Sequence, residues 1–220
     1  MGDFDYIIVG GGSSGATLAG RLAADPSLKV LLLEAGPSDG SLKIKVPLGY
    51  GSLFYDQKFN WKYETQPEPE LKGRRMYWPR GKVLGGSSAI NAMVYVRGHP
   101  NDYEEWADVA PSWNWSNVEP YFKKIESWKG EDSPVRGKSG PVGVTNVEND
   151  VHPLTANYLE AGQELGFPYN RDYNGNHMEG VAVYQTTTFN GLRVSSASAY
   201  IAKKKRSKNL KVISNALVTN

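Results

Sequence analysis

Residues 10–15 read Gly-Gly-Gly-Ser-Ser-Gly, and the spacing of these residues fits two different chemistries. Gly10 to Gly15 satisfies the G-x-G-x-x-G pattern, in which glycines let a backbone turn approach the pyrophosphate of a dinucleotide. Gly11 to Gly15 also satisfies G-x-S-x-G, in which a tight turn presents a nucleophilic serine. The motif alone leaves both chemistries open, so the elements around it must separate them.

The elements on either side of this turn favour the dinucleotide. Residues 4–9 and 28–33 are continuous apolar runs, which are typical of strands in a parallel sheet covered on both faces. Alanines and leucines recur between them with helical spacing, so the segment predicts a strand–helix–strand crossover of about 30 residues. Glu34 ends the second strand, where a carboxylate can accept hydrogen bonds from ribose hydroxyls.

The serine-nucleophile interpretation is disfavoured by the position of the motif and by the histidines. In an α/β-hydrolase the serine turn comes after several strands and is followed by an acid and a histidine, whereas this motif follows the first strand. The three histidines, His99, His152 and His177, lie in polar or turn-like surroundings. Because they also lack the spacing of metal ligands, we predict no metal site.

The composition is that of an ordinary globular protein. Of the 220 residues, 40% are hydrophobic and 22% are charged, and the formal net charge is +2 at pH 7. This near balance gives no indication of a nucleic-acid partner, and no apolar run approaches the roughly 18 residues of a transmembrane segment. The lack of cysteine excludes disulfides and iron–sulfur clusters. With no signal sequence evident, the expected location is the cytoplasm or a cytoplasmic face.

The rest of the chain predicts shorter elements. Extended pieces are expected at 61–65 and 74–78, strands at 181–189 and 210–218, and helices at 101–109, 116–128, 153–165 and 195–202. Ser116 and Glu119 stand at capping-box spacing for the second of these helices, and Gly166 closes the third. Asn190-Gly191 predicts a turn, and the basic run 203–208 predicts a solvated helix end.

A second glycine-rich stretch bears on which dinucleotide is bound. Glu34 disfavours a 2′-phosphorylated cofactor by charge repulsion, but both NAD and FAD present an adenosine ribose to it. Residues 78–98 contain Arg80 and Lys82, then Gly85-Gly86, two serines and Asn91. A second backbone cradle would suit a cofactor with a second half to hold, whereas a tight turn followed by a helix cap explains the same residues equally well.

Four stretches in this order carry a resemblance to a known family. They are DYIIVGGGSSG (5–15), VLLLEAGP (30–37), WPRGKVLGGSSAINAMVYVRG (78–98) with the following HPNDYEEW, and NGLRVSSASAYI (190–201). The sequence resembles the glucose–methanol–choline (GMC) oxidoreductases, which use FAD and mostly oxidise alcohols. It looks most like the bacterial alcohol and choline dehydrogenase-like members.

The resemblance implies a set of cofactor-binding positions. Residues of the first motif would hold the pyrophosphate of FAD: Gly10, Gly12, Ser13, Ser14 and Gly15. Glu34 would bind the adenosine ribose and Val218 the adenine, and Gly85, Gly86 and Ser87 would line the phosphate and ribityl side. The segment beside the isoalloxazine ring would comprise Asn91, Ala92, Met93 and Val94. Ala35, Arg80 and Val83 complete the set that the resemblance implies.

Two departures from the family qualify these implications. Ile90 stands where some members carry a histidine bonded covalently to FAD, so we expect non-covalent FAD. The family's catalytic base is a histidine in a C-terminal motif, and nothing in this sequence matches that motif. We therefore predict no catalytic residue here and expect the chain to be the N-terminal portion of such an enzyme. On its own, the chain is expected to be inactive.

The fold expected from these patterns is an α/β, Rossmann-like FAD-binding domain of the GMC type, discontinuous in sequence, with part of an α+β substrate-binding domain. Residues 1–140 and 207–220 would belong to the FAD-binding domain and 141–206 to the substrate-binding domain. The implied reaction is oxidation of a small-molecule alcohol by hydride transfer to flavin N5, with oxygen or a quinone as electron acceptor. A lyase or decarboxylase on the same scaffold, and a non-catalytic FAD-binding fragment, remain the alternatives.

Overall fold

The computed structural model describes residues 3–202 and 207–219. These residues form two units, one comprising the chain up to Met93 together with the residues from Asn190 onward, and the other comprising Val94–Phe189. Four residues of the predicted basic helix end, 203–206, lie outside the described residues. In the described part of the chain, no helix has both the length and the apolar character needed to cross a membrane.

The described helices and strands are mostly short. The helices are α1 (Ser13–Leu22), α2 (Leu42–Lys45), α3 (Tyr50–Leu53), α4 (Pro100–Ala107), α5 (Trp115–Ile125) and α6 (Leu154–Glu164), with a π-helix at Ala197–Ile201. The strands are β1 (Tyr6–Val9), β2 (Val30–Leu33), β3 (Tyr63–Glu64), β4 (Tyr77–Trp78), β5 (Glu126–Trp128), β6 (Val142–Asn146), β7 (Gln185–Thr186), β8 (Thr188–Phe189), β9 (Leu192–Arg193) and β10 (Leu210–Ile213).

A three-stranded parallel sheet organises the first unit. β2 lies in the middle, with Tyr6 of β1 and Leu210 of β10 both paired with Val30. The predicted strand–helix–strand crossover is confirmed, because α1 connects β1 to the parallel β2. The predicted strand at 210–218 ends earlier, at Ile213, since Asn215 takes a positive φ of 57°.

Small residues on α1 allow the helix to pack closely on its neighbours. Ala16 and Ala19 are fully buried, and a Cβ added to Gly20 would lie 2.7 Å from the carbonyl oxygen of Tyr200 in the π-helix. The core around this contact consists of Ile8, Ala16, Ala19, Ala23, Val30, Leu32, Leu84, Ala197, Ile201 and Leu210. The small-residue stripe seen in the sequence is therefore the packing face of α1.

One face of the sheet differs from the sequence prediction. The continuous apolar runs predict burial on both faces, and Ile8 is indeed 8% exposed. Its neighbours Ile7 and Val9, which point to the opposite face, are 61% and 62% exposed. The prediction is thus wrong for that face of β1 within the described residues.

The second unit is built around β5, β6 and β7. β5 pairs in parallel with β6, and β6 pairs antiparallel with β7. The predicted strand at 181–189 appears only as the short β7 and β8, because Val181 instead exchanges backbone hydrogen bonds with Pro168 and Asn170. The helix predicted at 153–165 is confirmed as α6, and Gly166 follows it with a φ of 90°.

The start and end of α5 correct the predicted helix at 116–128. The N-cap is Asn114, whose Oδ1 accepts a hydrogen bond from the N–H of Asn117 at 3.0 Å, so the Ser116–Glu119 capping box is not the cap. The helix ends at Ile125 and the chain continues as β5. Glu126 leaves the helix because its side chain is bound inside the unit.

A buried cluster of charges surrounds Glu126. Its Oε1 accepts hydrogen bonds from Arg97 Nη2 at 2.5 Å and Arg136 Nε at 2.9 Å, and also from the N–H of Gly137 at 2.6 Å. Arg136 donates in addition to Asp172 and to Gln185 Oε1. The side chains of Glu126 and Arg136 are fully buried and that of Arg97 is nearly so. The cluster therefore connects five separate segments of the chain.

The predicted division into functional domains remains a prediction. The sequence assigns 141–206 to a substrate-binding domain, and residues 190–202 of that range lie in the first unit with both glycine motifs.

Candidate functional site

Each glycine of the first motif occupies a different environment. Gly10 has a φ of 91°, and its N–H donates to the carbonyl oxygen of Leu33 at 2.8 Å, which makes the tight turn out of β1. A Cβ on Gly15 would lie 1.9 Å from the carbonyl oxygen of Gly10, so this glycine lets α1 pack against the turn. Gly12 has an ordinary φ of −70°, and the nearest atom to an added Cβ would be 4.0 Å away. Nothing in the described chain requires a glycine at position 12.

The open side of Gly12 is the start of α1. Gly12 is the N-cap residue and has no side chain with which to accept hydrogen bonds from the first backbone N–H groups of the helix. Ser13 and Ser14 follow and are exposed. A helix N-terminus of this kind attracts anions through its N–H groups and its partial positive charge. A pyrophosphate approaching there would explain a glycine that the fold itself does not need.

The second glycine motif packs directly on the first. The N–H of Gly85 donates to the carbonyl oxygen of Gly11 at 2.7 Å. A Cβ on Gly86 would lie 2.7 Å from the Cα of Gly12, and both Gly85 and Gly86 have positive φ, at 98° and 54°. The two motifs, some seventy residues apart in sequence, therefore form one continuous backbone surface.

The buried side chain of Glu34 supports this backbone surface through two hydrogen bonds. The residue is 5% exposed, and its Oε2 accepts from the N–H of Gly11 at 2.7 Å while Oε1 accepts from the N–H of Gly36 at 2.8 Å. A carboxylate has about four lone-pair positions, so two remain for a ribose hydroxyl. The sequence predicted ribose binding for Glu34 and missed its support of the glycine turn. The adjacent Ala35 is half-buried.

We expect the Glu34→Gln variant to lose about 2 kcal/mol of unfolding free energy. The amide must turn its NH₂ group toward Gly11 N–H or Gly36 N–H, which leaves one buried donor unsatisfied. Urea denaturation measures the loss. Glu160→Gln, at an exposed position of α6, is the matched control and should change stability by less than about 0.5 kcal/mol. An unchanged denaturation midpoint for Glu34→Gln would contradict the bracing role.

The other adenosine-side prediction, Val218, lies beyond β10. Before it, Asn215 N–H donates to the carbonyl oxygen of Gly36 at 2.8 Å and Ala216 N–H to that of Glu34 at 2.9 Å. Val218 is 43% exposed two residues later. The structure therefore brings the Val218 segment to the backbone of Glu34, as adenine binding at this end would require.

Three predicted positions around the second motif differ in exposure. Arg80 is exposed, with its guanidinium 4.9 Å above the ring of Trp78 and Nη1 donating to the carbonyl oxygen of Pro79. Val83 is fully buried, in a cluster that consists of Ile44, Leu53, Phe59, Val83, Ala89 and Ile90. Ser87 is exposed, and its Oγ accepts from the N–H of Gly81 at 3.1 Å. Val83 therefore belongs to the core, and its carbonyl oxygen accepts from the N–H of Gly86 at 2.7 Å.

The segment predicted to lie beside a flavin ring has a constrained backbone. Met93 has a φ of 64°, a region that few non-glycine residues adopt, and its N–H donates to Asn91 Oδ1 at 3.1 Å. Asn91 and Ala92 are exposed, whereas Met93 is 5% exposed. Val94, also predicted here, is 39% exposed and forms an antiparallel bridge with Thr186 in the second unit.

Residues of the stretch 190–201 form hydrogen bonds with the second glycine motif, a contact that the sequence did not reveal. Ser88 Oγ donates to the carbonyl oxygen of Gly85 at 2.6 Å and accepts from the N–H of Ser196 at 2.9 Å. Arg193 donates from Nη1 to Asn91 Oδ1 at 2.8 Å and from Nε to the carbonyl oxygen of Ile44 at 2.8 Å. Burial lowers the pKa of Arg193 to about 10, so the guanidinium is still protonated at neutral pH. The sequence singled out the stretch NGLRVSSASAYI, but only the fold shows which residues it contacts.

Two of the histidines serve as local caps. His99 is the N-cap of α4, and its Nδ1 accepts from the N–H of Asn101 at 3.1 Å. His152 Nδ1 accepts from the N–H of Leu154, the first residue of α6, at 3.2 Å. These contacts give both imidazoles a structural task and supply no partner for a serine nucleophile.

The second unit contains an open groove of about 910 Å³. Three of its polar side chains already have partners within the unit: His99 caps α4, Asp172 pairs with Arg136, and Tyr169 donates to Glu148. We assign no ligand to this groove.

Tyr169 gives the second unit a specific dependence on alkaline pH. Burial and the hydrogen bond to Glu148 raise the pKa of Tyr169 to about 12, above the ordinary value of about 10. The stabilisation is present below the unfolded pKa and is lost as the pH rises through about 12, because the unfolded chain gives up its proton first. The stability of Tyr169→Phe, measured by urea denaturation, should fall less steeply between pH 10 and 12 than that of the parent. Parallel stability curves over this range would contradict the assignment.

Comparisons with known proteins agree on one family. The profile described as GMC oxidoreductase matches residues 4–220. Over 218 residues the chain is 44% identical to Alcohol dehydrogenase (acceptor) of Pseudomonas putida, and the match covers 98% of this chain and 39% of that protein.

Solved structures give the same result. Pyridoxine 4-oxidase from Mesorbium loti superposes with a TM-score of 0.91 at 36% identity over 97% of this chain and 42% of that one. A formate oxidase from Aspergillus oryzae RIB40, in a structure that concerns FAD modification, superposes with a TM-score of 0.86 at 29% identity over 96% and 38%. The chain spans about two fifths of the length of these relatives. Because the profile covers nearly all of the chain and the glycine motifs converge on one surface, the chain belongs to the GMC oxidoreductase family.

Proposed function

We propose that the protein is an FAD-dependent oxidoreductase that oxidises the CH–OH group of a small-molecule alcohol, and that this chain supplies its FAD-binding surface. The observation that carries the proposal is Gly12, a glycine with ordinary φ and open space that lies at a helix N-terminus beside the second glycine motif. Such a residue is explained by a ligand that approaches the backbone closely. The names of the relatives, an alcohol dehydrogenase and an FAD-containing formate oxidase, support the same choice.

In this proposal the residues of the first unit divide the cofactor between them. The pyrophosphate would lie at the N-terminus of α1, held by Gly10, Gly12, Ser13, Ser14 and Gly15. The adenosine would lie toward Glu34, Ala35 and Val218, and the ribityl side along Gly85, Gly86 and Ser87. The segment formed by Asn91, Ala92 and Met93 would lie beside the isoalloxazine ring. Arg80, Val83 and Val94 stay predicted members of the set.

The bound FAD would supply the hydride-accepting chemistry of the reaction. The role of this chain is to bind and orient that group: backbone N–H groups compensate the phosphate charge, and Glu34 sets the adenosine end. The buried cluster around Ile90 lies under the second motif and contributes no proton transfer. We assign no catalytic residue within the chain.

Non-covalent attachment of FAD is part of the proposal. Ile90 is 1% exposed within an apolar cluster, and its alkyl side chain cannot form a bond to the cofactor. Flavin should therefore appear in the supernatant after acid precipitation of the protein, and flavin retained in the washed pellet would contradict this attachment.

Alternatives within the same family differ in chemistry rather than in cofactor. A lyase or decarboxylase would use the same binding surface without net hydride transfer, and the third alternative is an FAD-binding chain without catalysis. Oxygen or a quinone as the electron acceptor, and a cytoplasmic location, remain predictions.

Absorbance of the purified protein tests the proposal. We expect the protein to show the absorption spectrum of a flavin that can be released, or to acquire this spectrum when FAD is added to the cofactor-free protein. Titration with NAD is the control, because both dinucleotides satisfy the first glycine motif. A colourless protein that binds NAD and not FAD would overturn the proposal. Because no catalytic residue is assigned within this chain, alcohol turnover with reduction of the flavin absorbance has to be measured on the whole protein, where it separates the oxidoreductase from the lyase and from a non-catalytic protein.

A further inference from the structure

Arg193 is a buried cation that donates to three acceptors on two segments of the first unit. The residue is 5% exposed. Its Nε donates to the carbonyl oxygen of Ile44 at 2.8 Å, and Nη1 donates to Asn91 Oδ1 at 2.8 Å and to the carbonyl oxygen of Ser88 at 3.3 Å. The planar guanidinium has these donors at fixed angles, so it holds α2, the second glycine motif and Asn91 in one arrangement.

The charge of Arg193 has no carboxylate beside it. No ion pair of its guanidinium is found in residues 3–202 and 207–219, and Nη2 is buried there without a hydrogen-bond partner. The two other buried arginines of the described residues both have carboxylates, since Arg97 pairs with Glu126 and Arg136 pairs with Glu126 and Asp172. Burying a cation without a counter-charge costs stability, so a group of this kind is a candidate for a functional role.

The exposed end of this arrangement is the segment predicted to lie beside the flavin. Asn91 Oδ1 accepts from both Arg193 and the N–H of Met93, and Met93 is held at a φ of 64°. An exposed asparagine would otherwise sample several rotamers, and Met93 would relax toward negative φ. Arg193 thus fixes, from inside the unit, the conformation of a segment at the surface.

We propose that Arg193 is a positioning residue for the flavin: its guanidinium fixes Asn91 and thereby holds the backbone of residues 91–93 in the conformation that contacts the isoalloxazine ring. This inference rests on the proposed function for the identity of the ligand. The positioning itself is a property of the chain and is present without the cofactor. It follows that loss of the guanidinium should loosen residues 91–93 first and weaken FAD binding as a consequence.

Two substitutions and one matched control separate positioning from general destabilisation. Arg193→Met removes all three hydrogen bonds and the charge, and Arg193→Lys keeps the charge but loses the planar fork. Leu53→Ala is the control, because Leu53 is fully buried in the apolar cluster with Ile44 and Ile90 and its truncation destabilises the unit without touching Asn91.

Hydrogen exchange of the backbone amides is measured first, on the cofactor-free protein under native conditions. The variants are compared under conditions that give them equal global stability. We expect the Met93 amide to exchange at least roughly tenfold faster in Arg193→Met than in Leu53→Ala. The rate in Arg193→Lys should lie between these two. Equal Met93 exchange in Arg193→Met and Leu53→Ala would overturn the proposal. If Arg193→Met does not fold, the comparison of Arg193→Lys with Leu53→Ala decides in the same way.

FAD binding and the visible circular dichroism of the bound flavin are measured next. The dissociation constant should rise by roughly tenfold or more in Arg193→Met, as expected for the loss of about one charge-assisted hydrogen bond, and the dichroism should change shape. Leu53→Ala should keep the dichroism of the parent. If the parent protein binds no FAD, the proposed function fails, and the exchange data still decide whether Arg193 positions residues 91–93. Unchanged affinity and dichroism in Arg193→Met would overturn the link to the flavin.

Discussion

The Glu126→Gln variant is expected to lose about 3–5 kcal/mol of unfolding free energy, the largest stability effect that we predict for a side-chain change. Glu126 is fully buried and accepts from two guanidinium groups and from the N–H of Gly137. A neutral amide of the same shape removes the negative charge and turns one NH₂ toward these donors. Arg97 then remains inside the second unit with no carboxylate in the described residues. Urea denaturation followed by tryptophan fluorescence measures the loss, since Trp128 stacks on Arg136 at 3.9 Å.

A paired variant and a surface control test the cause of this loss. If the cost comes from uncompensated charge, removing Arg97 as well, in Glu126→Met with Arg97→Met, should restore part of the stability, because Arg136 keeps Asp172 as a partner. Glu119→Gln, which removes a pair with Lys123 on the surface of α5, should cost less than about 1 kcal/mol. A double variant less stable than Glu126→Gln would show that packing, and not charge, dominates the cluster.

The buried cluster also shows where sequence reasoning stops. Glu126 reads as an ordinary polar residue near the end of a helix, and the predicted helix continued through it to residue 128. Its partners lie at Arg97 and Arg136, and Asp172 joins through Arg136. No local pattern links these positions, because an ion pair formed by tertiary contacts leaves no periodicity in the sequence. The sequence therefore predicts the wrong end for this helix, because the contacts that end it at Ile125 are tertiary.

The glycine motifs were predictable because their chemistry is local. The φ of Gly10 and the approach of Gly15 to Gly10 depend on residues within one turn, so the pattern G-x-G-x-x-G carries the whole geometry. The sequence also indicated that Gly85 and Gly86 form a second backbone feature. It did not indicate that Gly85 bonds to Gly11, which needs the intervening chain to fold back.

Glu34 and Arg193 lie between these two cases. Glu34 stands at the right distance from the first motif for ribose binding, and the pattern predicts it. Its two backbone hydrogen bonds to Gly11 and Gly36 are visible only in the structure. Arg193 was part of a recognisable stretch, but its acceptors on Ile44 and Asn91 are about 100 residues or more away in sequence.

The Gly12→Ala variant is expected to fold with nearly the stability of the parent and to bind FAD at least roughly tenfold more weakly. An added Cβ meets no atom of the described chain closer than 4.0 Å, and the φ of −70° suits alanine. The methyl group would instead occupy the space at the start of α1 that the proposal gives to the pyrophosphate. FAD titration by quenching of flavin fluorescence measures the affinity, and urea denaturation measures the stability. A bulky residue such as valine should abolish uptake.

Gly15→Ala is the matched comparison within the same motif, and it should behave in the opposite way. Its Cβ would lie 1.9 Å from the carbonyl oxygen of Gly10, so the turn and α1 must move apart and stability should fall by about 1–3 kcal/mol or more. If the surface binds a dinucleotide, the substitution at position 12 lowers the affinity for FAD and leaves the unfolding free energy nearly unchanged. The substitution at position 15 mainly lowers the unfolding free energy. Wild-type FAD affinity in Gly12→Ala would place the pyrophosphate elsewhere and remove the observation on which the proposed function rests.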